Sequence, residues 1–280
     1  MHYSAERPAG PVIRAVARGR QGRNGRGRLA RLAGCGVIVA WHGVPVALPR
    51  PATRGGEFSP PAGPGPLPAV LHGCSGIRPS QVAWAAWLRC EGYAALVLDS
   101  FGGRGIRSLC GDSSAEGGGM RSNDVFAAAR YLGALPGIDG QRIAAMGFSH
   151  GGWTVLWTGS HAARYADTPL KAVLAFYPYC GDLWRYRGSA PLLMLLGGKD
   201  DWTPAEPCQR LGETSRSEGD TVEAVLYLEA RHGFDGAHIA RRPVIPEPRG
   251  GRGATVEYDA RAHGDGERQV RRFLAQHLRS

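Results

Sequence analysis

The chain has 280 residues, enough for one ordinary domain with a sizeable core, and no run of about 18 apolar residues, which excludes a membrane-spanning helix. Its formal charge of +10 suggests an acidic partner, but residues 1–31 hold eight arginines against Glu6 alone, leaving only about +3 elsewhere, so no nucleic-acid partner is expected. Only Lys171 and Lys199 accompany the arginines, and with 42 glycines this imbalance reads as a coding bias that lowers the meaning of any single Arg-Gly stretch.

Residues 1–35 read as a basic, disordered extension and 36–280 as the working domain. Leu32-Ala33-Gly34-Cys35 resembles a lipoprotein cleavage box, but the segment before it is basic and Gly-rich where a signal needs an apolar stretch. Six cysteines without CxxC pairs argue against a zinc site. The expected compartment is the cytoplasm, with the periplasm and secretion left open.

Residues 50–68, rich in Pro and Gly, read as a loop ahead of the core. A strand follows at 69–71, then a helix capped by Ser80 and stopped by Gly92, its Val82, Trp84, Trp87 and Leu88 at helical spacing. Further strands are expected at 94–98, 143–146, 172–177, 192–196 and 222–228, and helices at 124–135, 151–158 and 264–278. Thr203-Pro204-Ala205-Glu206 has the form of a capping box with proline at the first helical position. Two stretches, 100–123 and 237–259, resist the pattern and read as functional loops. The alternation of strand and helix predicts an α/β fold with a mostly parallel central sheet and helices on both faces.

Gly147-Phe148-Ser149-His150-Gly151 is a G-x-S-x-G sequence between an apolar strand and a helix, the context of a nucleophile elbow. A serine hydroxyl needs a base, and the base an orienting carboxylate. Asp200 and Asp201 follow the strand at 192–196, and His232 follows the strand at 222–228. Both lie just past strand C-terminal ends, where open α/β sheets carry their sites. His238 is the rival base. Asp99 precedes Ser149 in the chain and is expected to anchor a loop. The oxyanion of acyl transfer needs two backbone donors, assigned to the amides of His150 and of Cys74 in the turn His72-Gly73-Cys74-Ser75-Gly76. The Cys74 thiol is an alternative nucleophile, but no strand, elbow and helix surround it.

Together with Asp99-Ser100-Phe101-Gly102-Gly103-Arg104-Gly105, Gly197-Gly198-Lys199-Asp200-Asp201-Trp202 and Arg231-His232-Gly233-Phe234, these motifs resemble the dienelactone hydrolase family, in family order and over about three quarters of the chain. The resemblance implies the α/β-hydrolase fold and hydrolysis of a lactone or small carboxylic ester without a cofactor. It maps the triad acid onto Asp200 through a Gly-x-x-Asp pattern, and it places Arg104 in a loop where the family binds a substrate carboxylate. Two departures stand out. The founding members use a cysteine nucleophile where this chain has Ser149, and a glutamate in the oxyanion loop where it has Gly73, so serine chemistry is expected. A prolyl-peptidase-like hydrolase and a catalytically idle binding protein are the competing readings, and the oligomeric state is open.

Overall fold

The computed structural model describes residues 65–110, 118–134, 138–165, 168–239 and 254–278, with short strand segments at 40–41, 44–46, 52–54, 56–59 and 244–245. The expected basic extension at 1–35 lies outside the described residues. In chain order the elements are β1 (Ala40–Trp41), β2 (Val44–Val46), β3 (Ala52–Arg54), β4 (Gly56–Ser59), β5 (Gly65–Leu71), α1 (Pro79–Cys90), β6 (Ala95–Leu98), α2 (Gly118–Gly133), β7 (Ile138–Phe148), α3 (His150–Ser160), β8 (Leu170–Phe176), β9 (Leu192–Gly197), α4 (Ala205–Ser217), β10 (Val222–Tyr227), β11 (Val244–Ile245), β12 (Ala254–Thr255) and α5 (Ala260–Leu278).

Eight strands form the main sheet in the order β1-β4-β6-β5-β7-β8-β9-β10. The five pairings from β6 to β10 are parallel, and β4 meets β6 antiparallel. A parallel sheet covered on both faces buries every side chain, so its strands read as continuous apolar runs. Successive residues then point to opposite faces. Leu192, Met194 and Leu196 of β9 join the layer of α2, α3 and α4, with Val125, Phe126, Val155, Leu156 and Leu211. Leu193 and Leu195 join the layer of α1 and α5, with Trp84, Leu88, Val270, Phe273 and Leu274. Fully burying such a side chain contributes about 1.5–3 kcal/mol.

Four local expectations are corrected. The stretch 50–68 is not a plain loop: β3 and β4 run through it and β5 begins at Gly65. Ser80 lies inside the first turn of α1, and the backbone N–H of Arg78 donates to the Gln81 side chain instead. The expected capping box before α4 does not form. Its N-cap residue is Pro204, without a side-chain cap, because the Thr203 hydroxyl is drawn to Tyr177 O (2.9 Å) and Asp200 Oδ2 (3.0 Å). The stretch expected to resist regular structure at 237–259 contains the small ribbon of β11 and β12.

Cys74 is bonded to Cys110 and Cys180 to Cys208, and no described cysteine is free. Disulfides persist in oxidising compartments and are rare in the cytosol. The cytoplasmic expectation is therefore not retained. No helix among the described residues is long and apolar enough to cross a membrane.

Candidate active site

Ser149 follows β7 and precedes α3 with φ 54° and ψ −117°, a backbone region that a residue with a side chain rarely occupies. The turn is held by its neighbours. Ser149 N–H donates to Phe176 O (2.9 Å), and Trp153 N–H donates to Ser149 O (2.9 Å). The two glycines of the motif are steric requirements. A Cβ on Gly151 would lie 2.5 Å from His72 O and 2.7 Å from Leu71 O, and one on Gly147 would collide with the Gly151 carbonyl. Only this close packing lets strand, turn and helix follow one another so sharply.

The turn delivers Ser149 Oγ to within 2.9 Å of His232 Nε2. The opposite ring nitrogen, Nδ1, lies 2.8 Å from Asp200 Oδ2 and 3.1 Å from Thr203 Oγ1. His232 and Asp200 are both buried. Asp200 Oδ1 accepts the backbone N–H groups of Trp202 and Thr203, each at 2.9 Å. Burial pushes the Asp200 carboxyl upward, but the charge and hydrogen bond of His232 and the two amide donors outweigh it and hold it below the usual carboxylate range. An ionised Asp200 fixes the proton of His232 on Nδ1 and leaves Nε2 free to take the Ser149 proton. Ser149, Asp200 and His232 come together; the rival His238 borders the same cavity without reaching Ser149.

The His72–Gly76 turn leaves the C-terminal end of β5 beside the elbow, so that a Cβ on Gly73 would lie 3.5 Å from Ser149 Cβ. Cys74 and Ser149 border one cavity of about 660 Å³, whose apolar wall includes Phe148, Tyr177, Trp202 and Ile239. That volume suits a small organic molecule. Because Cys74 is bonded to Cys110, its sulfur is not a free nucleophile in this arrangement.

Sequence reasoning missed the support behind the histidine. Tyr177 has φ 35°, and its ring lies 4.6 Å from the His232 ring, tilted by 60° to it. Its hydroxyl donates to the buried Asp235 (2.5 Å), which also accepts from Trp84 Nε1 (2.9 Å). Burial, then the Asp235 charge, pushes the Tyr177 hydroxyl well above its ordinary range; burial likewise raises Asp235 against the hydrogen bonds of Tyr177 and Trp84. The only sequence signal was a carboxylate three residues after His232. Asp99 does anchor its loop, accepting the N–H groups of Phe101 and Gly102 at 2.9 Å.

Arg104, expected to meet a substrate carboxylate, is engaged within the fold. Its guanidinium donates to Asp124, at 2.6 and 3.1 Å, and to Ser100 O. Asp124 is fully buried, so the ion pair compensates a carboxylate of the interior. Arg104→Ala is expected to destabilise the fold by about 3 kcal/mol, because a buried carboxylate loses this bidentate partner. It should leave the ratio of kcat/KM for anionic and neutral esters unchanged. Thermal unfolding and paired kinetics check both halves.

With this geometry in place, comparison with known proteins gives a family. The model of the dienelactone hydrolase family matches residues 56–278. The chain belongs to that family. A candidate dienelactone hydrolase from Klebsiella pneumoniae subsp. pneumoniae MGH 78578 superposes with a TM-score of 0.68 at 20% identity, covering 86% of this chain and 99% of that one. A dienelactone hydrolase-like promiscuous phosphotriesterase from metagenomic libraries gives 0.64 at 22%, covering 87% and 100%. At these identities the superpositions show the shared fold. Acylamino-acid-releasing enzyme 1 of Oryza sativa subsp. japonica is 25% identical over 217 residues, 61% of this chain. The dienelactone hydrolase-family chain spans only 28% of that relative.

Proposed function

We propose that the chain is a serine hydrolase of small carboxylic esters or lactones working through an acyl-enzyme. The observation that carries this reading is Ser149 Oγ, on a strained elbow, 2.9 Å from a histidine whose far nitrogen is held by a buried carboxylate. Ser149 attacks the carbonyl carbon while His232 takes its proton. The amides of His150 and Cys74 receive the oxyanion, and His232 returns the proton to the leaving alcohol. Water then repeats the sequence on the acyl-enzyme. Asp200 holds the tautomer and stabilises the imidazolium. No step calls for a cofactor. The two disulfides support an extracellular or periplasmic location.

The rice relative supports a second reading, a serine peptidase using the same residues. A fluorophosphonate probe and a panel of p-nitrophenyl esters, lactones and aminoacyl anilides separate the readings. Labelling of Ser149 with kcat/KM for esters and lactones above that for anilides is the expected result. Preference for anilides favours the peptidase, and absence of labelling and turnover favours an idle binding protein.

A further inference from the structure

We infer that Arg121 is a positioning residue that fixes the oxyanion site, clasping together the two chain segments that supply its donors. The inference rests on the assignment of the Cys74 and His150 amides made above. Arg121 sits in the first turns of α2 and is fully buried. One guanidinium nitrogen donates to His72 O (2.9 Å), two residues before Cys74. The other lies 2.7 Å from Nδ1 of His150, the residue that carries the second amide. The ring of Phe101 lies 5.0 Å from the guanidinium carbon and fills the space beside it.

The two segments already touch on one side, where Gly151 packs against His72 O so closely that a Cβ would lie 2.5 Å from it. Gly151 limits how near the β5 turn and the elbow can come, and Arg121 limits how far they can part. A guanidinium is a planar fork whose nitrogens donate in different fixed directions. Lysine, with one ammonium on a flexible stem, cannot hold a backbone carbonyl and an imidazole in fixed relative positions.

The histidines on either side of the clasp act as neutral struts. Arg121 only donates, so His150 Nδ1 accepts and the imidazole carries its proton on Nε2. His72 Nε2 accepts Ser100 N–H (3.2 Å), and its Nδ1–H donates to Gly73 O (2.8 Å), directly stiffening the turn before Cys74. Burial first, and the Arg121 charge second, keep His72 well below the usual histidine range.

Catalytic donors need placement to about 0.5 Å, and losing one oxyanion donor outright costs about 10²–10³ in kcat. Loosening both should cost somewhat less. Arg121→Lys and His150→Ala are each expected to lower kcat on a p-nitrophenyl ester by about tenfold to a hundredfold with KM changed less than about threefold. His150→Ala keeps the amide and removes only the ring that the clasp grips. The double variant should be no slower than the slower single by more than about threefold, because both break one connection. Losses that multiply, a KM effect without a kcat effect, or a His150→Ala protein with wild-type kcat would each overturn the inference. If Arg121→Lys does not fold, His150→Ala decides alone by the same criterion. A wild type neither labelled by fluorophosphonate nor active on any ester overturns the serine hydrolase reading together with this inference. An active, labelled wild type with an indifferent His150→Ala overturns this inference alone.

Discussion

Ser149→Ala is expected to lower ester turnover by about five to six orders of magnitude, the scale seen when the nucleophile of a serine hydrolase is removed. The fold should survive. Ser149 Oγ bonds His232, and the elbow is held by backbone bonds to Phe176 and Trp153 that alanine keeps. Alanine also tolerates φ 54° about as poorly as serine, so Tm should stay within a few degrees of wild type. Ser149→Gly gives the complementary result: equal inactivity with a higher Tm, since glycine takes positive φ without the steric cost. Residual activity above a few per cent in purified Ser149→Ala protein would place the nucleophile elsewhere. Cys74 is a poor substitute while its sulfur is bonded to Cys110.

The parts of this structure legible in the sequence share a physical reason. Strands buried on both faces leave apolar runs such as the one at 192–196, and groups at strand C-terminal ends fall where parallel sheets expose their sites. Ser149 and His232 could therefore be singled out from local context, whereas the adjacent Asp200 and Asp201 were told apart only by the family resemblance. What stayed hidden depends on partners far along the chain. The pairing of Arg104 with Asp124 was hidden because the two are 20 residues apart and meet only through the packing of α2. Arg121 was lost among 32 arginines whose abundance lowered the weight of each. Thr203 carried a helix-capping pattern, but the demands of Asp200 and Tyr177 on its hydroxyl overrode the local preference. β4 lay in a Pro/Gly-rich stretch, and its four residues, Gly56-Glu57-Phe58-Ser59, give no apolar run to read.

The neighbouring aspartates Asp200 and Asp201 provide the sharpest comparison, because two residues alike in chemistry should differ by about four orders of magnitude in consequence. Asp201 is exposed; its Oδ1 accepts Thr255 N–H at 2.9 Å and its Oδ2 lies 3.7 Å from Arg231. It makes no hydrogen bond to the His232 ring, whose Nδ1 is held by Asp200 and Thr203, and a solvent-exposed pair of that length contributes little. Asp201→Asn should therefore stay within about twofold of wild-type kcat/KM, since an amide oxygen still accepts from Thr255. Asp200→Asn meets a different constraint. The N–H groups of Trp202 and Thr203 fix the side chain's orientation, so the asparagine oxygen must occupy the Oδ1 position. Its NH2 group then takes the Oδ2 position, 2.8 Å from His232 Nδ1, and donates to it. Nδ1 becomes an acceptor, the imidazole proton moves to Nε2, and the nitrogen facing Ser149 can no longer receive the hydroxyl proton. A serine protease with this tautomer error loses about ten-thousandfold in kcat with its geometry intact, and a similar loss is expected here with Tm little changed. Steady-state kinetics of both variants on one p-nitrophenyl ester decide the matter: comparable losses, or the larger loss at Asp201, would remove Asp200 from the proposed triad.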